Sequence, residues 1–123
     1  MIKHRTLINS FHYAIQGIGY ALKEDQNLRI HFLVALCVIA ASIYFKVNAF
    51  EMGILGIMIL LVIATEMINT AIENMVDLIT KEYRMEAKIA KDVASGMVLI
   101  TSLGAAIVGL LIFLPYIIRY FFS

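Results

Sequence analysis

The chain has no tryptophan, one cysteine, one proline and few charges, Asp, Glu, Lys and Arg together making up 15% of its 123 residues. Each scarcity excludes something. Cys37 has no second cysteine to pair with, so the chain is not a disulfide-stapled secreted module. A formal net charge of +1 excludes a strongly basic nucleic-acid binder. The length rules out a two-domain enzyme, and the composition rules out a disordered chain. No G-x-x-x-x-G-K-S/T or G-x-G-x-x-G run occurs, so a nucleotide would have to be held by carboxylates, a metal and lysine.

Apolar residues are what the chain has in abundance, at 62% against roughly 45–50% in a soluble domain. A chain this small leaves much of its surface in contact with solvent. The solvent that tolerates such a surface is lipid.

The charged residues are clustered between apolar runs. Ile30 to Phe45 is apolar except for His31 and Ser42 and is closed by Lys46, Asn48 and Glu51; Met52 to Thr65 carries no charge; Val93 to Ile118 is uncharged over its whole length. The expectation is a single membrane domain, residues 1–123, with spans at about 29–47, 51–79 and 92–119. Ahead of them, Ile8, Phe11, Ile15, Ile18 and Leu22 recur at helical intervals, with Arg5, Asn9, His12, Gln16, Gly19 and Lys23 opposite. That pattern predicts an amphipathic helix over about 4–24, lying in the membrane interface or packed on the other helices. It is too polar for a signal peptide. Tyr116, Arg119, Tyr120 and the last two phenylalanines form an aromatic and basic anchor.

Lysines and arginines are retained in cytoplasmic loops. Lys3, Arg5, Lys23 and Arg29 precede the first span, and Lys81, Arg84, Lys88 and Lys91 lie between the second and third; only Lys46 and Arg119 are on the other side. This predicts a cytoplasmic N-terminus and an external C-terminus.

The second span holds the informative residues. Glu66, Asn69, Thr70, Glu73 and Asp77 share one stripe of an otherwise apolar helix. A carboxylate at the bilayer centre costs about 2.5–3.5 kcal/mol on insertion scales, so the stripe must be compensated by a metal, a partner or water. At about 1.5 Å per residue Glu66 lies roughly 21 Å beyond Met52, with Glu73 near the cytoplasmic boundary and Asp77 past it. Lys88, Lys91, Asp92 and Ser95 line one face where the third span begins, and Glu24, Asp25 and Arg29 mark the approach to the first. Carboxylates with lysines, and no histidine or cysteine cluster, suit Mg²⁺. A proton or cation pathway, or polar contact between helices, would use the same acids. His31 reads as a residue at the span edge, Cys37 as a small buried hydrophobe and the seven methionines as packing.

The run from Ala64 to Asp77, with its E-x-x-N-x-x-x-E-x-x-x-D pattern, followed by Ala87-Lys-Ile-Ala-Lys-Asp-Val-Ala-Ser95, closely resembles the signature of the prokaryotic diacylglycerol kinase and undecaprenol kinase family. The resemblance extends over nearly the whole chain. It implies an all-α integral membrane protein, a surface helix plus three spans, assembled as a homotrimeric bundle with active sites shared between subunits, which phosphorylates a lipid alcohol with Mg²⁺ and ATP at the cytoplasmic face of the bacterial plasma membrane. By the same resemblance Glu66 is the general base; Glu73 is a metal ligand; Asn69 and Asp77 are polar partners of the site; Lys91 and Asp92 stand beside the nucleotide, with Tyr13; Glu82, Tyr83 and Arg84 cover ATP; and Ser95 lies near the lipid. The family's second metal ligand is a glutamate. Here Asp25-Gln-Asn-Leu-Arg-Ile-His31 puts an aspartate at that position, with Glu24 adjacent as the alternative.

A base held away from water, with neighbouring cations for the phosphates, is the equipment that phosphoryl transfer needs. The absence of tryptophan, the Asn27-Leu-Arg-Ile-His31 motif and the ending Val108 to Pro115 resemble the Gram-positive undecaprenol kinase branch. Undecaprenol is therefore the expected substrate, with diacylglycerol the alternative.

Overall fold

The computed structural model describes residues 6–123, which form four helices, α1 (Leu7–Glu24), α2 (Gln26–Tyr44), α3 (Ala49–Ile79) and α4 (Met85–Phe122). Lys3, Arg5 and the first residues of the expected surface helix lie outside the described residues. α2, α3 and α4 are long and apolar enough to cross a membrane.

Local chemistry explains most of the boundaries. Thr6 caps α1 through its hydroxyl, which accepts from the Asn9 N–H at 3.2 Å. One residue, Asp25, joins α1 to α2: its N–H donates to the Ala21 carbonyl at 2.8 Å, while its Oδ1 accepts from the N–H groups of Asn27 and Leu28 at 2.9 and 3.3 Å. It thus closes one helix and caps the next. Arg29 clamps the same corner, its Nη1 donating to the Leu22 and Lys23 carbonyls at 2.8 Å each.

The α2–α3 turn is a Schellman motif, with the Val47 N–H on the Ser42 carbonyl and the Lys46 N–H on that of Ile43. Lys46 takes the left-handed position, φ 55°, where glycine is usual. Asn48 then caps α3, accepting from the Glu51 N–H at 2.9 Å while its own amide donates to the Glu51 carboxylate at 2.8 Å.

Three helix ends lie farthest beyond the expected spans. α2 begins at Gln26 rather than about 29, because the Asp25 cap starts the helix before the apolar run does. α4 begins at Met85 rather than about 92 and runs to Phe122 rather than about 119. Met85, Glu86, Ala87, Lys88 and Lys91 are good helix formers whose charges hide them from a reading by hydropathy. Pro115 lacks the N–H for the Leu111 carbonyl, yet the helix continues past it.

α3 and α4 pair as a hairpin, α2 packs on α3, and α1 lies across α2 and α3. A small core of Val47, Leu55 and Ile112, with Val38, Phe45, Ile54, Val108, Phe113 and Tyr116 around it, gathers at the end away from the α3–α4 turn. That end is tied by polar contacts as well. The Tyr116 hydroxyl donates to Glu51 at 2.5 Å, and the hydroxyls of Tyr44 and Tyr120 meet at 2.5 Å. The apolar stretch of α4 is almost wholly uncovered within the chain, so lipid or further protein must cover it. Cys37 corrects the sequence expectation: it is exposed. The buried stripe of α2 is Leu28, Ala35 and Ser42, and Cys37, two residues on from Ala35, falls on the opposite side.

Candidate active site

The α3 stripe turns inward at its middle. Thr65, Glu66, Asn69 and Thr70 are all buried. Glu66 is only 1% exposed, and its Oε1 is buried with no hydrogen-bond partner among the described residues. Its Oε2 lies 3.8 Å from His31 Nε2 on α2. An unpaired carboxylate oxygen in an apolar bundle is expensive and marks a position where something else is to be bound.

Asp25 meets this cluster from the α1–α2 corner. Its Oδ2 accepts from the Thr70 hydroxyl at 2.7 Å. Burial pushes the Asp25 carboxyl up, but hydrogen bonding with Glu66, with the Thr70 hydroxyl and with the N–H groups of Leu28 and Asn27 outweighs it and holds the group below the usual carboxylate range. Asp25 therefore stays ionised and acceptor-only, whereas Glu24 is exposed.

One turn beyond Asn69, the Asn69 amide donates to Glu73 Oε1 at 3.3 Å. Asn69 Oδ1 is left buried and unpartnered among the described residues. Farther along α3 the helix reaches the α4 cations: Lys91 Nζ donates to Asp77 Oδ1 at 2.7 Å, while Lys88 pairs with Asp92 at 2.6 Å on its own helix. Lys91 and Asp92, adjacent in sequence, thus have different partners. Glu82 and Arg84 form a loose, exposed pair at 3.9 Å in the α3–α4 turn, where Thr80 accepts from the Glu82 N–H at 3.1 Å. Tyr83, Tyr13 and Ser95 are exposed.

The structure therefore brings Asp25, Glu66 and Asn69 into one group, with the exposed Glu73 joined to its edge through Asn69, and Asp77, Lys91, Lys88 and Asp92 into a second nearer the turn. By helix rise, Glu66 and Asp77 are about 16 Å apart along α3. Glu82, Tyr83 and Arg84 lie in the α3–α4 turn, and Ser95 follows Lys91 and Asp92 by one turn of α4.

Two neighbours were missed by the sequence reading. Thr70 was noted on the stripe without its partner, and His31 was given no chemistry. The only signal for His31 was its place in the Asp25-to-His31 motif, because helical periodicity does not say which residue of α3 it faces.

Among the described residues, no three His, Cys, Asp or Glu side chains converge to hold a metal by themselves. Mg²⁺ usually takes one or two carboxylates plus substrate phosphates. Asp25 and Glu73 are carboxylates of that kind, and Asn69 offers an unpartnered buried oxygen. The donors fit a hard ion that arrives with a polyphosphate.

The family model for prokaryotic diacylglycerol kinase matches residues 12–113. A diacylglycerol kinase of Synechocystis sp. is 40% identical over 110 residues, covering 89% of this chain; the match spans 63% of the relative's length. The undecaprenol kinase of Bacillus subtilis is 36% identical over 116 residues, 91% of this chain and 94% of the relative. The diacylglycerol kinase of Escherichia coli K12 is 30% identical over 101 residues, 82% of this chain and 83% of the relative.

Proposed function

The chain belongs to the prokaryotic diacylglycerol kinase family and is a lipid kinase of the membrane that uses ATP; we propose that it phosphorylates the hydroxyl of undecaprenol at the cytoplasmic face, with Glu66 as the general base. The observation that carries this reading is the Glu66 carboxylate, 1% exposed and with one oxygen unpartnered among the described residues, on a helix long and apolar enough to cross a membrane.

Glu66 takes the hydroxyl proton as the lipid oxygen attacks the γ-phosphorus of ATP; the bond to the β–γ bridging oxygen breaks and ADP leaves. Asp25, Glu73 and the Asn69 carbonyl oxygen would hold Mg²⁺, which when bound neutralises phosphate charge and helps orient the transfer. Thr70 fixes one oxygen of Asp25. Lys91, kept near the site by Asp77, supplies a cation for the phosphates, with Asp92 beside it. Tyr13 on α1 and Glu82, Tyr83 and Arg84 in the turn complete the nucleotide pocket, and Ser95 borders the lipid. α4 leaves most of its apolar surface uncovered. That observation supports a homotrimer in which neighbouring subunits share each site, with α1 resting on the membrane surface. The distribution of lysine and arginine supports a cytoplasmic N-terminus and an external C-terminus.

Undecaprenol is favoured by the missing tryptophan and the Asn27-to-His31 motif, and the relative from Bacillus subtilis that matches over most of its length is named for it. A specific observation favours the second reading, diacylglycerol: the Synechocystis relative, 40% identical, is named a diacylglycerol kinase. The deciding experiment offers purified protein in mixed micelles both lipids side by side with radiolabelled ATP. A higher kcat/KM on undecaprenol supports the first reading, a higher value on diacylglycerol the second, and no transfer to either overturns the kinase assignment.

A further inference from the structure

The end of the bundle away from the α3–α4 turn carries a pocket for which phosphoryl transfer has no use. Its volume is about 380 Å³, and it is lined by Tyr44, Phe45, Lys46, Tyr116, Arg119 and Tyr120, so the C-terminal ends of α2 and α4 form its walls. Lys46 and Arg119 form no ion pair among the described residues. Glu51, the acid of this end, is not part of the lining; its Oε1 accepts from the Asn48 amide at 2.8 Å and from the Tyr116 hydroxyl at 2.5 Å.

Both cations are held by what surrounds them. The Arg119 guanidinium lies over the Tyr116 ring, 4.8 Å from its centroid, and its Nε donates to the Pro115 carbonyl at 3.4 Å. Nη1 and Nη2 are left without partners among the described residues. Lys46 occupies a left-handed turn position, φ 55°, that glycine adopts freely and a residue with a Cβ does not. A residue kept in a disfavoured conformation points to a use for its side chain, and here that side chain is a cation lining the pocket. The Tyr44 and Tyr120 hydroxyls meet at 2.5 Å; one hydrogen joins them, and the second is free to donate to a ligand.

The surroundings select among anions. A free phosphate would meet the two cations and leave the aromatic walls unused. Below the pocket α4 continues as exposed apolar surface at Ile118, Leu114 and Leu111, where acyl chains would lie. Rings and basic groups at the end of a span are the setting in which a lipid head group is met.

We propose that this pocket binds the phosphodiester of one anionic phospholipid of the external leaflet, with Arg119 and Lys46 on the phosphate oxygens and the acyl chains against α4. Arg119 presents its two free nitrogens as a fork to two oxygens, and Lys46 adds a point charge. The site is separate from the Glu66 group and does not depend on the kinase reading.

The chain has no tryptophan, so Phe121→Trp, whose ring position packs 4.9 Å from that of Tyr120, places a single fluorophore beside the pocket. The test reconstitutes this full-length protein in phosphatidylcholine vesicles and measures quenching by brominated phosphatidylglycerol against brominated phosphatidylcholine. The expected result is a preference for phosphatidylglycerol on the order of tenfold. It should be lost in Lys46→Gln/Arg119→Gln and kept in Lys23→Gln/Lys81→Gln, which removes equal charge from the other end. Lys46→Gly relieves the turn, so it should raise Tm while lowering the preference roughly threefold. Millimolar inorganic phosphate should leave the quenching unchanged. Equal quenching by the two lipids reduces the pocket to a general interfacial anchor and overturns the proposal. So does a preference that survives loss of both cations, and displacement by inorganic phosphate overturns the choice of a lipid ligand.

Discussion

The Thr70 hydroxyl of α3 donates a 2.7 Å hydrogen bond to Asp25 at the corner between α1 and α2. Through it the residue that starts the first span is tied to the helix that carries the base. Asp25 comes from a turn and Glu66 and Glu73 from a helix interior, so their relative positions depend on this contact. Thr70→Val removes the donor at nearly constant volume and weakens the link by about 1 kcal/mol. The expected outcome is a several-fold higher Mg²⁺ requirement with a smaller change in kcat, read by titrating activity with Mg²⁺ at saturating ATP.

Glu66→Gln keeps size and polarity and removes the base. Turnover should fall by about 100-fold or more, while ATP binding, measured by equilibrium titration, stays near wild type. Normal turnover in this variant would mean that another group takes the proton.

Glu73→Gln should show the opposite division. A carboxylate that helps hold the metal contributes to Mg·ATP binding, so its loss should raise the apparent KM for Mg·ATP more than it lowers kcat. Excess Mg²⁺ should recover part of the activity.

Asp25 also predicts a pH dependence. Its folded-state pKa lies below the ordinary value, so its contribution to stability is fully present above about pH 4, the unfolded carboxylate value, and is lost as the pH falls through the lower folded value. Thermal unfolding in detergent should find wild type more stable than Asp25→Asn near neutrality. The gap should narrow below about pH 4.

At the other end of the bundle, Tyr116→Phe deletes the 2.5 Å hydrogen bond to Glu51, far from the proposed chemistry. Stability should fall by about 1 kcal/mol, seen as a lower Tm, with kcat/KM unchanged. A matching loss of turnover would mean that the two ends are coupled.

Much of this was legible before any coordinates. The stripe from Glu66 to Asp77 follows from the repeat of an α-helix, and the long apolar runs announce three spans. Periodicity fixes which face of its own helix a residue occupies, but not how far neighbouring helices slide along one another. For that reason the contact between His31 and Glu66, and the pairing of Lys91 with Asp77 instead of Asp92, could not be read from spacing. The early start of α4 was obscured for another reason: hydropathy marks where lipid begins, and the first turns of α4 are helical but charged. That Asp25, not Glu24, caps α2 is a matter of where the helix starts, which sequence leaves open when two acids are adjacent.

The single-residue joint at position 25 has a consequence for the length of the carboxylate it carries. A short carboxylate can fold back onto the first amides of the helix it begins, which is why aspartate caps well; the extra methylene of glutamate reaches farther but anchors less firmly. In this chain the corner is stiff and the arm is short. Asp25→Glu should lengthen the arm at the expense of the hinge, so the two side chains, though both are acids, set different balances between holding the corner still and extending toward an incoming ligand.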